Sequence, residues 1–371
     1  MDALSSFPKL VFNPDGSLPR PEIYPLSPPS PNPPAAIAND PPKPYVLSKD
    51  VPLNPSNHTW FRTFLPHLLT SSPTASLPVI IDFHGGDFVL FSAASAPSHA
   101  SCESIARGVP AIVLSVEYRL SPEHRLPAAY DDAIDAVRWV RDQAASAATS
   151  DPWMALADFS RCFLLGSNAG GNIEYRAALQ VLEQRPPFEI VGVILNQPYV
   201  GGIERTESEL RLETDRILPL RANDYMWELA LPRGADRDHE FCNVVLASEK
   251  DGGRVGRLPT CLVRGYGGDP LLDRQVAMAR MLEKRGVCVV RRFHEEGCHG
   301  VELFDVGKAE AFFSDVRDFV SSSLRIQPPP PTPPPRGREG EMRRCPAMIL
   351  ASSLARDVSR RTDISITRRG I

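Results

Sequence analysis

The chain predicts an α/β fold: a doubly wound, mostly parallel sheet with helices on both faces, an N-terminal lid and a helical cap insertion. Three observations lead there. Short, continuous apolar runs alternate with stretches of helical periodicity, the pattern of strands buried on both faces. One helical stretch, Ala128–Ala145, sets Tyr130, Ile134, Val137 and Val140 on one face and Asp131, Asp135, Arg138 and Asp142 elsewhere, as a helix lying on a sheet requires. The apolar run 162–165 then passes directly into Gly166-Ser167-Asn168-Ala169-Gly170-Gly171-Asn172, where flanking glycines let a strand and a helix approach closely.

Taken in order, residues 1–57 form a proline-rich arm. The run Ser27-Pro28-Pro29-Ser30-Pro31 within it sustains neither a helix nor a central strand, so the segment reads as an extended leader or a lid packed over the fold. A single domain follows over 58–325, with strands expected at 60–65, 79–83, 111–118, 162–165, 190–195, 261–266 and 287–293. Between the last two pairs, 207–255 breaks the rhythm with mixed charge and Trp227. It is expected as the cap, above the C-terminal edge of the sheet where ligands bind. A helix over 309–320 closes the domain. Beyond it, 326–371 opens on a polyproline run, and 336–371 holds nine Arg against Glu339, Glu341, Asp357 and Asp363. Without apolar periodicity this tail is expected to stay disordered, outside the fold.

Composition narrows the function. A net charge of −4 over 371 residues offers no electrostatic case for nucleic acid or an anionic membrane. No run approaches the ~18 continuous apolar residues of a membrane span, and the start Met1-Asp2-Ala3-Leu4 lacks a signal-peptide pattern. The expected setting is the cytoplasm, with the nucleus as a second compartment, and the expected partner is a small-molecule ester or ligand. Seven scattered cysteines without CxxC or metal spacing predict free thiols, no metal and no cofactor.

The chemistry concentrates at three sites. The glycine-flanked turn has the form of a nucleophile elbow, G-x-S-x-G, in which the middle residue stands exposed at a strained tip. Here that residue is Asn168, which tolerates positive φ but is a very poor nucleophile. Ser167 carries a hydroxyl but sits one residue too early, pointing back along the strand. Upstream, the 79–83 strand ends in His84-Gly85-Gly86-Asp87, where an oxyanion loop belongs; the Asp87 carboxylate would oppose developing negative charge unless turned away. Downstream, Asp269 and His299 follow successive strands, giving the chain order nucleophile, acid, base.

These stretches, together with Tyr118-Arg119-Leu120-Ser121-Pro122-Glu123-His124-Arg125-Leu126-Pro127-Ala128, Gly170-Gly171-Asn172 and Gly268-Asp269-Pro270-Leu271, resemble plant carboxylesterases of the hormone-sensitive-lipase type, relatives of the gibberellin receptor. The resemblance covers about residues 10–324. It implies an α/β-hydrolase core that cleaves carboxylic esters through serine, histidine and aspartate. His299 would be the general base, Asp269 its orienting acid, and Gly85, Gly86, Asp87 and Ala169 the oxyanion loop and donors. The nucleophile maps onto Asn168. Glu123, His124 and Arg125 read as an ionic cluster bracing the fold. Either the chain is an esterase with an unorthodox nucleophile such as Ser167, or it is a catalytically silent small-molecule binder, as the gibberellin receptors are on this scaffold.

Overall fold

The computed structural model describes residues 13–14, 18–20, 24–33, 45–67, 76–146, 151–182 and 188–323, all within the compact unit Met1–Ile326. The tail expected over 326–371, and much of the arm expected over 1–57, lie outside the described residues.

Eight strands form one sheet in the order β1-β2-β4-β3-β5-β6-β7-β8, with β1 Tyr45–Asn54, β2 Thr59–His67, β3 Leu77–Phe83, β4 Ile112–Glu117, β5 Ala157–Ser167, β6 Ile190–Asn196, β7 Thr260–Gly268 and β8 Val289–Cys298. From β4 through β8 all neighbours are parallel, while β2 pairs antiparallel with both β1 and β4. The central strands read as unbroken apolar runs because both faces are covered; every residue of β3 is buried.

The covering helices are α1 Ala96–Gly108, α2 Ala128–Ala145, α3 Ala169–Gln180, α7 Leu272–Lys284 and α8 Val306–Ser323, with α4 Glu207–Arg211, α5 Leu220–Ala230 and α6 Val244–Ala247 in the segment between β6 and β7. On one face Cys102 and Ile105 of α1 and Phe312, Val316 and Phe319 of α8 close over Ile80, Val113, Phe163 and Ile194. On the other, Tyr130, Val137 and Val140 of α2, Ile173 of α3 and Met278 and Leu282 of α7 close over Val79, Ile81, Leu164 and Val193. The parallel strands therefore deliver their C-terminal ends to one edge, where ligand sites of such sheets form.

The first strand departs from the sequence reading. Tyr45–Asn54 falls inside the stretch read as an arm, yet pairs along its length with β2. Being at an edge, it tolerates Pro52, whose missing N–H matters only in an inner strand. The described pieces of the arm also touch the domain: Leu18 donates its N–H to Glu123, and Arg20 reaches the Val89 and Ser121 carbonyls.

Glu123, His124 and Arg125 do not form a mutual cluster. Glu123 pairs with Arg20 at 2.6 Å, whereas Arg125 donates to the Glu228 and Leu231 carbonyls, so each braces a different segment. Cys102, Cys162, Cys242, Cys261 and Cys298 are free thiols, as expected. Among the described residues no helix is long and apolar enough to cross a membrane.

Candidate active site

The turn between β5 and α3 is fixed by sterics. A Cβ on Gly166 would stand 2.2 Å from the Gly170 carbonyl carbon, and one on Gly170 only 1.8 Å from the Phe83 carbonyl oxygen; no side chain fits at either position. Asn168 takes φ 56° and ψ −118° at the tip, a strained backbone that persists because the surrounding glycines leave no other path. Behind it, Asn172 accepts from the Tyr130 hydroxyl and donates to the Tyr199 and Phe241 carbonyls. The Gly-Gly-Asn motif is thus explained by packing and helix anchoring.

The loop after β3 lies against this tip. A Cβ on Gly85 would meet Asn168 Cβ at 3.1 Å, and Gly86 holds φ +108° with the Leu90 carbonyl beneath it. Asp87 follows at φ 55°. This path turns two backbone N–H groups, those of Gly86 and Asp87, onto one point, and both donate to Asn168 Oδ1, at 3.0 and 2.8 Å. Placing the amide NH2 there instead would set donors against donors, so the oxygen assignment follows from chemistry. Of the other positions expected to form an oxyanion loop, Gly85 provides clearance and Ala169 opens α3.

The Asn168 amide nitrogen has two neighbours. It donates to Asp87 Oδ1 at 2.7 Å and lies 2.8 Å from His299 Nε2. The ring's other nitrogen, Nδ1, stands 2.9 Å from Asp269 Oδ2. Asp269 is fully buried and is held by the Leu271 N–H and the Gln275 amide. Four side chains from the ends of β3, β5, β7 and β8 thereby form one continuous line: Asp87, Asn168, His299, Asp269.

Electrostatics act on this line from both ends. Burial disfavours the charged His299 ring, but Asp269 and then Asp87 outweigh it and raise its pKa from 6.5 to about 9. Burial also raises the Asp87 carboxyl, an effect that His299 and the Asn168 hydrogen bond only partly offset. Donation from Asn168 to Nε2 requires a neutral ring, so protonating His299 breaks that bond and turns Nε2 into a donor facing the amide nitrogen.

Ser167 is placed otherwise. Its hydroxyl accepts from Asn196 Nδ2 at 3.0 Å, on the neighbouring β6, and the residue lines the edge of the cavity described below.

Sequence reasoning missed the groups beneath His299. Gln197 accepts from the Gly300 N–H and donates to Glu302, and Glu302 in turn pairs with the completely buried Arg264. Arg264 also reaches Asp315 of α8, Asn196 and the Tyr266 hydroxyl. The only local signal was a charged residue within the apolar run of β7.

Above the line lies a cavity of about 980 Å³, lined by Gly86, Asp87, Asn168 and His299 and by the apolar groups of Leu90, Phe91, Leu218, Leu303 and Phe313. A mostly apolar concavity with a few convergent polar groups is the usual form of a small-molecule site.

A glycine-flanked strand–turn–helix, a glycine loop beside its tip and an acid–histidine pair, all at the C-terminal edge of a mostly parallel eight-stranded sheet, are the arrangement of an α/β hydrolase. The chain belongs to that family, within its plant carboxylesterase branch: a family model described as the alpha/beta hydrolase fold matches residues 80–303. It is 46% identical over 330 residues to "Probable carboxylesterase 8" of Arabidopsis thaliana, covering 87% of this chain and 94% of that protein. It is 39% identical over 221 residues to the gibberellin receptor GID1 of Oryza sativa subsp. japonica, covering 59% of each. Among solved structures, a hyperthermophilic esterase from the archaeon Pyrobaculum calidifontis superposes with a TM-score of 0.63 at 25% identity, over 75% of this chain and 86% of that one.

Proposed function

We propose that this chain is a carboxylesterase-family protein whose pocket takes a small ester or related small molecule and hydrolyses it very slowly or not at all. One observation carries the reading: the Asn168 amide oxygen accepts from both Gly86 and Asp87 N–H, the donors that would otherwise hold a substrate oxyanion. The nucleophile position therefore lacks a nucleophile and also fills the hole it would have used. His299 would serve as base and Asp269 as its orienting acid, as in a working triad, but the base has no hydroxyl to deprotonate. The name of the rice relative, a receptor for a small molecule, supports a binding role on this scaffold.

The competing reading, an esterase using Ser167, would need a hydroxyl that lines the cavity to give up its hydrogen bond from Asn196 and reach His299 instead. One assay separates the two. Purified protein should turn over p-nitrophenyl acetate no faster than a protein-free blank, while its melting temperature rises with the concentration of a ketone analogue of that ester. A robust rate that Ser167→Ala abolishes and Asn168→Ala leaves intact would overturn the proposal.

A further inference from the structure

Asn168 does more than occupy a vacated position, because its own side chain is a carboxamide held as an acyl substrate would be. Its carbonyl oxygen accepts from two converging backbone N–H groups at 3.0 and 2.8 Å. Its nitrogen, the leaving group of any hydrolysis, lies 2.8 Å from His299 Nε2 and 2.7 Å from the Asp87 carboxylate. The cavity lined by the same three residues gives water a path to the amide carbon. Donors at a carbonyl oxygen stabilise the charge that develops there on attack, and an acid in contact with the nitrogen lets it depart as an amine.

We propose that the site hydrolyses its own Asn168 side chain to aspartate, releasing ammonia. Water from the cavity adds to Cγ and its proton passes to the Asp87 carboxylate. The resulting oxyanion rests on the Gly86 and Asp87 N–H groups. The Cγ–Nδ2 bond then breaks as protonated His299 delivers its proton to the nitrogen; the new carboxylic acid returns a proton to the ring, and the departing ammonia takes the proton held on Asp87 and leaves as ammonium. The balance is one amide and one water in, one carboxylate and one ammonium ion out, with no oxidant or metal required. The product places a carboxylate on the elbow tip, facing the two N–H donors.

A different path exists for any asparagine: the following backbone nitrogen, here that of Ala169, attacks Cγ and closes a cyclic imide that reopens mainly to isoaspartate. The two paths leave different products. The inference does not depend on whether the pocket hydrolyses an external ester, so it can fail while the proposed function stands.

Full-length protein is incubated at neutral pH and sampled over days by peptide mapping. A mass gain of about 1 Da marks conversion, and electron-transfer fragmentation distinguishes aspartate from isoaspartate. Asn168 should convert to aspartate alone, at least ~100-fold faster than Asn57 of the same chain and at least ~100-fold faster than Asn168 in the urea-unfolded chain, the smallest factor expected of positioned acid–base groups. His299→Gln should slow it by a similar factor; should that variant not fold, the comparison of folded with unfolded parent decides alone. An Asn168 that persists after Asn57 has reacted, isoaspartate at 168, or equal rates in folded and unfolded chains would each overturn the proposal.

Discussion

The ends of β7 and β8 and the ends of β3 and β5 build opposite sides of the same site and differ in what was altered. On the β7–β8 side, Asp269 and His299 stand 2.9 Å apart, the residue types and the contact that would orient a general base. On the β3–β5 side, the turn and the loop have the backbone expected of an elbow and an oxyanion loop, with Asn168 at φ 56° and Gly86 at φ 108°, but carry two side chains that the proposed function sets against ester hydrolysis. Those two touch each other: Asn168 donates to Asp87 at 2.7 Å. The difference teaches that turn geometry in this fold is set by glycines and by backbone contacts, so the chemistry at the tip can change without moving the frame.

The largest expected effect comes from restoring the altered side. Asn168→Ser should raise p-nitrophenyl acetate turnover about 1,000-fold or more over the parent, since removing a nucleophile serine costs on the order of a millionfold. A folded Asn168→Ser protein with no activity would mean the two sides do not cooperate.

Adding Asp87→Gly to that variant should give a further increase of about tenfold, because a carboxylate beside the oxyanion is expected to cost ~1–3 kcal/mol, comparable to losing one donor. Glycine also suits the positive φ at this position. Steady-state kinetics of the double variant against the single one provide the measurement, and no gain would place the Asp87 charge outside the reaction.

A smaller effect tests the β7–β8 side. Because the folded pKa of His299 is raised from 6.5 to about 9, its pairing with Asp269 contributes stability in full below pH 6.5 and loses it as pH rises through about 9. Thermal melts should show this alkaline decline in the parent, and His299→Gln should flatten it. The smallest effect belongs to Ser167→Ala in the Asn168→Ser background. Turnover should be unchanged, with about 1 kcal/mol of stability lost with the hydrogen bond from Asn196.

Much of this frame was legible in the sequence because it is written locally. The apolar runs that became β3 to β8, the glycines around residue 168, and an acid and a histidine after successive strands are all signals read within a few residues. Strand β1 escaped because edge position, not composition, lets Tyr45–Asn54 pair with β2. The orientation of the Asn168 amide was illegible for a different reason. It is decided by Gly86, Asp87 and His299 together, 82, 81 and 131 residues away in the chain, and only the assembled fold brings those groups to one point. Arg264 likewise looked like an interruption in a strand until its partners Glu302, Asp315 and Asn196 closed around it.

That buried arginine governs how the loop bearing His299 can move. Arg264 is completely inaccessible to solvent, and it connects through Glu302 and Gln197 to the backbone N–H of Gly300. Withdrawing a partner from a buried charge costs about 3–5 kcal/mol, so the loop has no cheap local opening. The Gly300 amide should accordingly exchange its hydrogen with solvent as slowly as amides in the middle of β7, and only through openings that also disrupt the sheet. The base would then be as immobile as the core, and any motion that admits a ligand must belong to another wall of the cavity.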